Sequence, residues 1–425
     1  MLTPDYAYHP VNNGVDLSTP DAPFVAWPLA RVCSETKNIW TPGLVFVCDN
    51  NSGGIGNIRN FILTCLRYAI EAGATGLVMP TIQTRNQEKL ADLFRAPKLP
   101  FSYFFDEGHF RQSLVSACPQ ISIYDEVAKV PGLNVHDNQM GKIRPEQITP
   151  DHFGHRGGCD AKDLNRHVGL FGERFRQKTL SEGPVSETNP KLVRMNWGVQ
   201  WDYPVYKDGP EFVAAYGGLL RFRGDILDLG RKTVEAMERM AADSKAEVET
   251  ENKVETRGSG FIGVHLRTEN DALSNWPSFE EQTTSYLARA SSLNPPPRYA
   301  YLATGNTTEA AKFAMRALSQ QSLHIVTKHE LMSDFPELLS QLNSLSWDQQ
   351  ALVDFIVLLQ AEYFLGVSPS SFSMNVALKR HLKGEGLYAR PWKVGSSEGD
   401  GRSWLSGKYE DYWEDWLFMY DSLWP

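Results

Sequence analysis

The chain has 425 residues, of which 42% are hydrophobic and 22% charged, and carries a formal net charge of −9. That length favours two domains, each able to bury an interior, and the composition fits neither a disordered chain nor a membrane protein. The acidic balance argues against broad nucleic-acid or anionic-membrane binding, which needs a basic face, so any phosphate site must be local.

Residues 1–40, rich in Pro, Asn and Asp, read as an irregular arm. The start, MLTPDYAYHP, has neither the basic nor the apolar stretch of a signal peptide, and no run reaches the roughly eighteen apolar residues of a spanning helix. The expectation is a cytosolic protein, or a secretory one (ER/Golgi) whose targeting segment is missing, without direct membrane insertion by this chain. Residues 41–242 are expected to form a first Rossmann-like domain. Leu44–Cys48 is continuously apolar, as in a strand covered on both faces, and the turn DNNSGGIGN follows it. Ile58, Phe61, Ile62, Cys65, Leu66 and Ala69 then recur at helical spacing until Gly73 supplies the stop. Thr75–Met79 gives the next strand and completes a βαβ unit. Residues 100–200, with loops around Gly132, Gly157 and Gly158, extend this domain, and a helical pattern returns from Pro210 to about Met240.

Residues 243–260 are polar and charged, with little to bury, and read as a linker. Residues 261–395 form the expected second Rossmann-like domain, with strands FIGVHL (261–266), YAYLA (299–303), LHIV (323–326) and YFLGV (363–367) alternating with helices. Asn306 and Glu309 read as a cap pair opening the helix after Ala303. Residues 396–425, acidic and Trp-rich, read as a terminal packing helix. All five cysteines (33, 48, 65, 118 and 159) fall in the first 159 residues, and an odd number leaves at least one thiol unpaired in a monomer. The redox compartment stays open.

Ligands in open α/β sheets bind at the carboxyl ends of strands, which singles out four places. At Gly53-Gly54-Ile55-Gly56-Asn57 the glycines admit a ligand to the backbone and the next helix offers free N–H groups to an anion. The alternative is a plain tight turn. A dinucleotide fingerprint fails there because Arg59 stands where its last glycine would be, and no acid closes the second strand. His265-Leu266-Arg267 ends a strand, with Glu269 and Asp271 beyond. Arg267 can grip a diphosphate with two charged hydrogen bonds, or make a structural ion pair with either acid. His265 taken singly reads as a core histidine. The turn Thr304-Gly305-Asn306 reads by itself as a helix cap. The stretch 368–373 (SPSSFS), before a helix expected near Met374, suits a phosphate or is a serine-rich cap, and Phe372 either stacks on a ligand or plugs the core. No zinc or sugar-donor metal motif is present, and His152, His155, Cys159, Asp160 and His167 read as loop residues.

These segments in this order resemble the GDP-fucose protein O-fucosyltransferase superfamily, particularly its plant-type members. The resemblance rests on GGIGNIRNF (53–61), PFSYFFDEGHF (100–110), HLRTEND (265–271), YLATGN (301–306), VTKHEL (326–331), QQALVDFIVLLQAEYF (349–364) and SPSSFS (368–373). It implies a GT-B architecture, two Rossmann-like domains facing across a cleft, and an inverting, metal-independent fucosyltransferase using GDP-fucose, with a protein or glycan acceptor and no cofactor. By the same matches Arg267 would hold the β-phosphate, with Ser370, Ser371 and Phe372 completing the cradle, and Thr304 and the Gly54 and Gly56 loop would lie at the donor. His265 and Asp354 would contact the nucleoside, Asp354 through the guanine edge. Asn57 would lie near the transferred sugar, and Asp271 would support the site's shape.

One departure matters: some relatives carry a glutamate base in the glycine-rich loop, where this chain has only Gly53-Gly54-Ile55-Gly56, and Asp49 is the nearest acid. The base is therefore unassigned. Sequons at Asn50 and Asn306 fall inside the donor motifs, where a glycan would obstruct the site. A non-catalytic GDP-sugar-binding protein and, less favoured, a nicotinamide-dependent oxidoreductase are the competing readings.

Overall fold

A computed structural model describes residues 15–36, 39–86, 89–93, 95–133, 142–143, 171–181, 183–246, 260–383 and 400–425. The His152 to His167 group, Gly157, Gly158 and most of the 243–260 segment lie outside the described residues.

Two five-stranded sheets, each wholly parallel, carry the described structure. The first runs Ser122–Tyr124, Ala74–Val78, Thr41–Val47, Lys191–Met195, Lys142–Ile143. The second runs His324–Val326, Tyr299–Ala303, Ile262–His265, Tyr363–Val367, Ser403–Ser406. The second order, 3-2-1-4-5 in chain sequence, is that of a Rossmann sheet and places a topological switch point between Ile262–His265 and Tyr363–Val367. The central strands are buried on both faces, which is why they read as unbroken apolar runs.

The opening βαβ unit shows how local sequence fixes the frame. The strand Thr41–Val47 leads through the glycine turn into helix Ile55–Ala72, which ends at Gly73 with φ +76. A Cβ at Gly73 would lie 2.0 Å from the Ile39 carbonyl oxygen, so only glycine closes the helix there. Disulfide Cys48–Cys65 ties the strand's end to this helix, and Cys33–Cys118 ties an earlier helix to the end of Glu107–Ala117. Closing loops of 17 and 85 residues restricts the unfolded chain, stabilising the fold by about 3 to 4.5 kcal/mol each in the chain-entropy picture.

Three segments differ from expectation. The arm is not irregular throughout: Trp27–Glu35 is a helix opened by Pro28 that buries Leu29, Val32 and Cys33. Helix Gly224–Ala246 lies against Trp347–Gln360, so closely that a Cβ on Gly230 would meet Ile356 at 2.7 Å, and it thus packs on the helices of the second unit although it precedes the linker. The Trp-rich tail is not one helix. Ser403–Ser406 extends the second sheet, only Phe418–Ser422 is helical among the described residues of the tail, and Trp424 is buried among Tyr203, Phe212 and Tyr216 of the first unit. Its aromatic residues serve both units and so follow no single helical stripe.

Arg59, on the first helix, is buried and fastens the units together: it donates to Asn375 Oδ1 (2.7 Å) and to the carbonyls of Gly217 (3.2 Å) and Pro425 (3.1 Å). Burial lowers its pKa to about 10, still charged at neutral pH.

Candidate active site

The carboxyl ends of both sheets open onto one cleft of about 1190 Å³. The first unit contributes the turn at Gly53, Gly54 and Asn57 and the segment Asn196–Val199; the second contributes the ends of its central strands. Helices begin at several of these ends. Gly54 is the N-cap of Ile55–Ala72, Asn306 that of Thr307–Gln321, and Ser370 that of Ser371–His381. Their unpaired N–H groups and dipoles turn this end of the molecule into a place for an anion.

Arg267 lies on the cleft wall just past the strand Ile262–His265. Its main chain is clamped on both sides by the buried Gln282, which accepts from the Arg267 N–H (3.0 Å) and donates to its carbonyl (2.9 Å). The guanidinium bonds Glu269 and, at 2.5 Å, Asp271, while Asp271 also pairs with Arg85 and Glu269 accepts the Gly305 N–H at 2.7 Å. Burial disfavours the charge, but Glu269 and Asp271 outweigh it and hold the Arg267 pKa above its ordinary value. The structural ion pair is therefore real. It does not exhaust the guanidinium, whose five N–H donors leave three beyond those two bonds. Because Arg85 and Arg267 balance Glu269 and Asp271, the cluster is neutral and meets a diphosphate with oriented N–H groups more than with net charge.

His265 also lines the cleft, 4.6 Å from the Phe372 ring. Its Nδ1 lies 2.7 Å from Ser373 Oγ, and that oxygen accepts the Val367 N–H at 3.1 Å. Ser373 Oγ and His265 Nδ1 share one hydrogen bond, whose direction follows the ring tautomer, and it fixes the ring against the strand end. Burial pushes the His265 pKa down to about 4, so the ring is neutral at physiological pH.

Asp354 reaches the same wall with both oxygens engaged, Oδ1 by the Tyr301 hydroxyl and Oδ2 by Lys328 Nζ, each at 2.7 Å. Thr304, Ser370, Ser371 and Phe372 line the cleft as well. The helix there starts at Ser371, not Met374, because Ser370 caps it by accepting the Ser373 N–H. Gly56 is the exception: it does not line the cleft. A Cβ there would lie 2.6 Å from the Ser371 carbonyl oxygen, so this glycine lets the two units' helices touch.

The sequence matches the family described as GDP-fucose protein O-fucosyltransferase over residues 44–383. The chain belongs to that family. It is thereby a member of the GDP-fucose-dependent glycosyltransferases, and its two facing sheets are the GT-B architecture. Among solved structures it is similar to POFUT1 in complex with GDP-fucose (15% identity, 87% of this chain and 100% of that one, TM-score 0.49). It is also similar to a mutant of Arabidopsis thaliana FUT1 in complex with GDP (12%, 82% and 71%, 0.40) and to the fucosyltransferase NodZ from Bradyrhizobium (16%, 80% and 92%, 0.37). These likenesses are too distant to add to the family assignment. No curated protein sequence matches the chain.

Family motifs divide by role once placed. In PFSYFFDEGHF, Asp106 caps Glu107–Ala117 by accepting the His109 N–H (2.9 Å), and His109 Nε2 contacts the Gly218 carbonyl (2.9 Å), with neither residue lining the cleft. Asp49, the acid nearest the glycine loop, is held by Arg194 (2.7 Å) and Lys98 (3.1 Å) and is likewise outside it. Sequence reasoning missed Arg85, Lys328, Gln282 and the indoles of Trp197, Trp276 and Trp416. Lys328 was findable, since it lies two residues past the strand His324–Val326 and opens the next helix. Among the described residues no group of three or more His, Cys, Asp or Glu is placed to hold a metal ion, and no helix is long and apolar enough to cross a membrane.

Proposed function

We propose that the cleft binds GDP-fucose without a metal and transfers fucose to an acceptor hydroxyl, on protein or glycan, by single displacement with inversion. The observation that supports it most is the meeting of three helix N-termini with Arg267 at the second sheet's switch point, where a diphosphate binds in such folds. The acceptor oxygen bonds to the anomeric carbon as the bond to the β-phosphate oxygen breaks, and GDP leaves with the electron pair. Arg267, Ser370 and Ser371 take up the developing charge, Thr304 and Gly54 bound the donor, Asn57 lies at the sugar, and Asp271 holds Arg267 in place. No carboxylate stands in the glycine turn, so the acceptor proton leaves late, to solvent water, after an oxocarbenium-like state has formed. A GDP-sugar binder without turnover is the second reading, favoured by the clamped state of Asp49.

Two disulfides fit an oxidising compartment, which supports a secretory-pathway location. Both sequon side chains are engaged there, Asn50 with the Met195 carbonyl and Asn306 as a helix cap, so we expect them unmodified.

GDP is expected to raise the melting temperature in the presence of EDTA, and at one hundred times its dissociation constant to add about 2.7 kcal/mol of stability. Stabilisation that appears only with Mn²⁺ or Mg²⁺ would sink the metal-free reading. Asp354→Ala is expected to narrow the preference for GDP over UDP more than it slows transfer, because reading the guanine N–H edge helps ground and transition states alike. An unchanged preference in competition titrations would remove Asp354 from base recognition.

A further inference from the structure

Beyond the donor groups, the cleft has an aromatic side that the donor reading leaves unused. Trp276 and Trp416 meet edge to face with centroids 5.9 Å apart, and Trp416 leans on Phe418 at 5.5 Å. Trp197 faces the same space from the first unit. This side adjoins the reaction centre proposed above, since Arg267 Cζ lies 5.7 Å from the Trp276 ring centroid. Two further observations point to a ligand. The Trp276 indole N–H is buried with no partner among the described residues. Trp416 holds φ +63, a conformation that a bulky side chain adopts only where surroundings over-determine it, and such residues cluster at ligand clamps.

Resting on the GDP-fucose reading, we infer that this aromatic side is the acceptor subsite and that the acceptor is a carbohydrate. A pyranose presents an apolar C–H face that carries partial positive charge, and an indole face is negative, so the two stack. Its hydroxyl rim supplies an acceptor for the buried Trp276 N–H, which a purely apolar ligand would leave unsatisfied. A peptide strand brings amide groups at every residue that need partners, whereas flat indoles with single N–H donors match a ring. The volume agrees: at about 1190 Å³ the cleft exceeds the roughly 300 to 1,000 Å³ of a single small-ligand pocket, leaving room for sugar rings beside a nucleotide sugar.

The test is titration calorimetry of the full chain, with and without GDP, against chitotetraose, cellotetraose, β-1,4-galactotetraose and α-1,2-mannotetraose, and against a soluble Ser/Thr peptide set. At least one oligosaccharide is expected to bind and the peptides are not. Trp416→Ala should weaken that oligosaccharide about tenfold while GDP affinity stays within about twofold, and Trp416→Phe should keep most of the binding. Because the wild-type panel needs no variant, a misfolded Trp416→Ala leaves the inference open to refutation. Peptide binding without oligosaccharide binding would overturn it, as would a Trp416→Ala effect on GDP equal to that on the sugar. Absence of GDP binding by the wild type would strike the donor reading instead, and the GDP-free titrations still decide the acceptor class.

Discussion

Arg267→Ala is expected to fold, to bind GDP more weakly, and to lose fucose transfer by at least roughly a hundredfold. Breaking the sugar–phosphate bond builds negative charge on the β-phosphate, and a guanidinium held by Glu269 and Asp271, on a main chain clamped by Gln282, meets that charge without having to reorganise. Removing one preorganised donor of this kind costs about 3 to 4 kcal/mol of transition-state stabilisation. Arg267→Lys should rescue little, because an ammonium cannot bond both carboxylates and a phosphate in one plane. The bonds to Glu269 and Asp271 set up the opposing outcome. If Arg267 is only a structural ion pair, the alanine variant melts early yet transfers fucose at a near-normal rate per folded molecule. Steady-state transfer corrected for folded fraction by circular dichroism separates the two.

Arg59→Ala is expected to lose about 3 kcal/mol or more of folding stability, at about 1 to 3 kcal/mol for each buried acceptor left unsatisfied, read as a lower urea midpoint. The truncation strands the Asn375 side-chain oxygen and the Gly217 and Pro425 carbonyls in a buried junction. Lysine should recover little, since one ammonium on a flexible stem does not reproduce a fork reaching three oxygens. A loss below about 1 kcal/mol would mean that water or a neighbouring group replaces the guanidinium, and that the junction does not depend on Arg59.

Arg59 also marks the boundary of what the sequence makes legible. From the chain alone it only spoils a dinucleotide fingerprint, because its partners lie 158, 316 and 366 residues away. The parallel strands, by contrast, read directly: burial on both faces makes them short apolar runs, and the turns at their ends are where Gly54, Arg267, Thr304 and Ser370 reach the cleft. Gly56 shows how little a glycine alone reveals. A glycine that admits a ligand and one that admits a neighbouring helix look alike until the helix is placed, and here Ser371 occupies the space. The same holds for the tail, where tryptophans that pack a core and tryptophans that line a cleft are one composition. Trp424 does the first and Trp416 the second. Cysteine pairing was beyond reach because spacing does not report distance: the two bridges span 17 and 85 residues.

The most direct test of the central claim is proton NMR of GDP-fucose incubated with the protein in EDTA, with and without the oligosaccharide panel. The account predicts metal-free consumption of the donor, with the first-formed fucosyl product in the opposite anomeric configuration. Turnover only on adding a divalent metal, retention of configuration, or GDP binding without any turnover would contradict it.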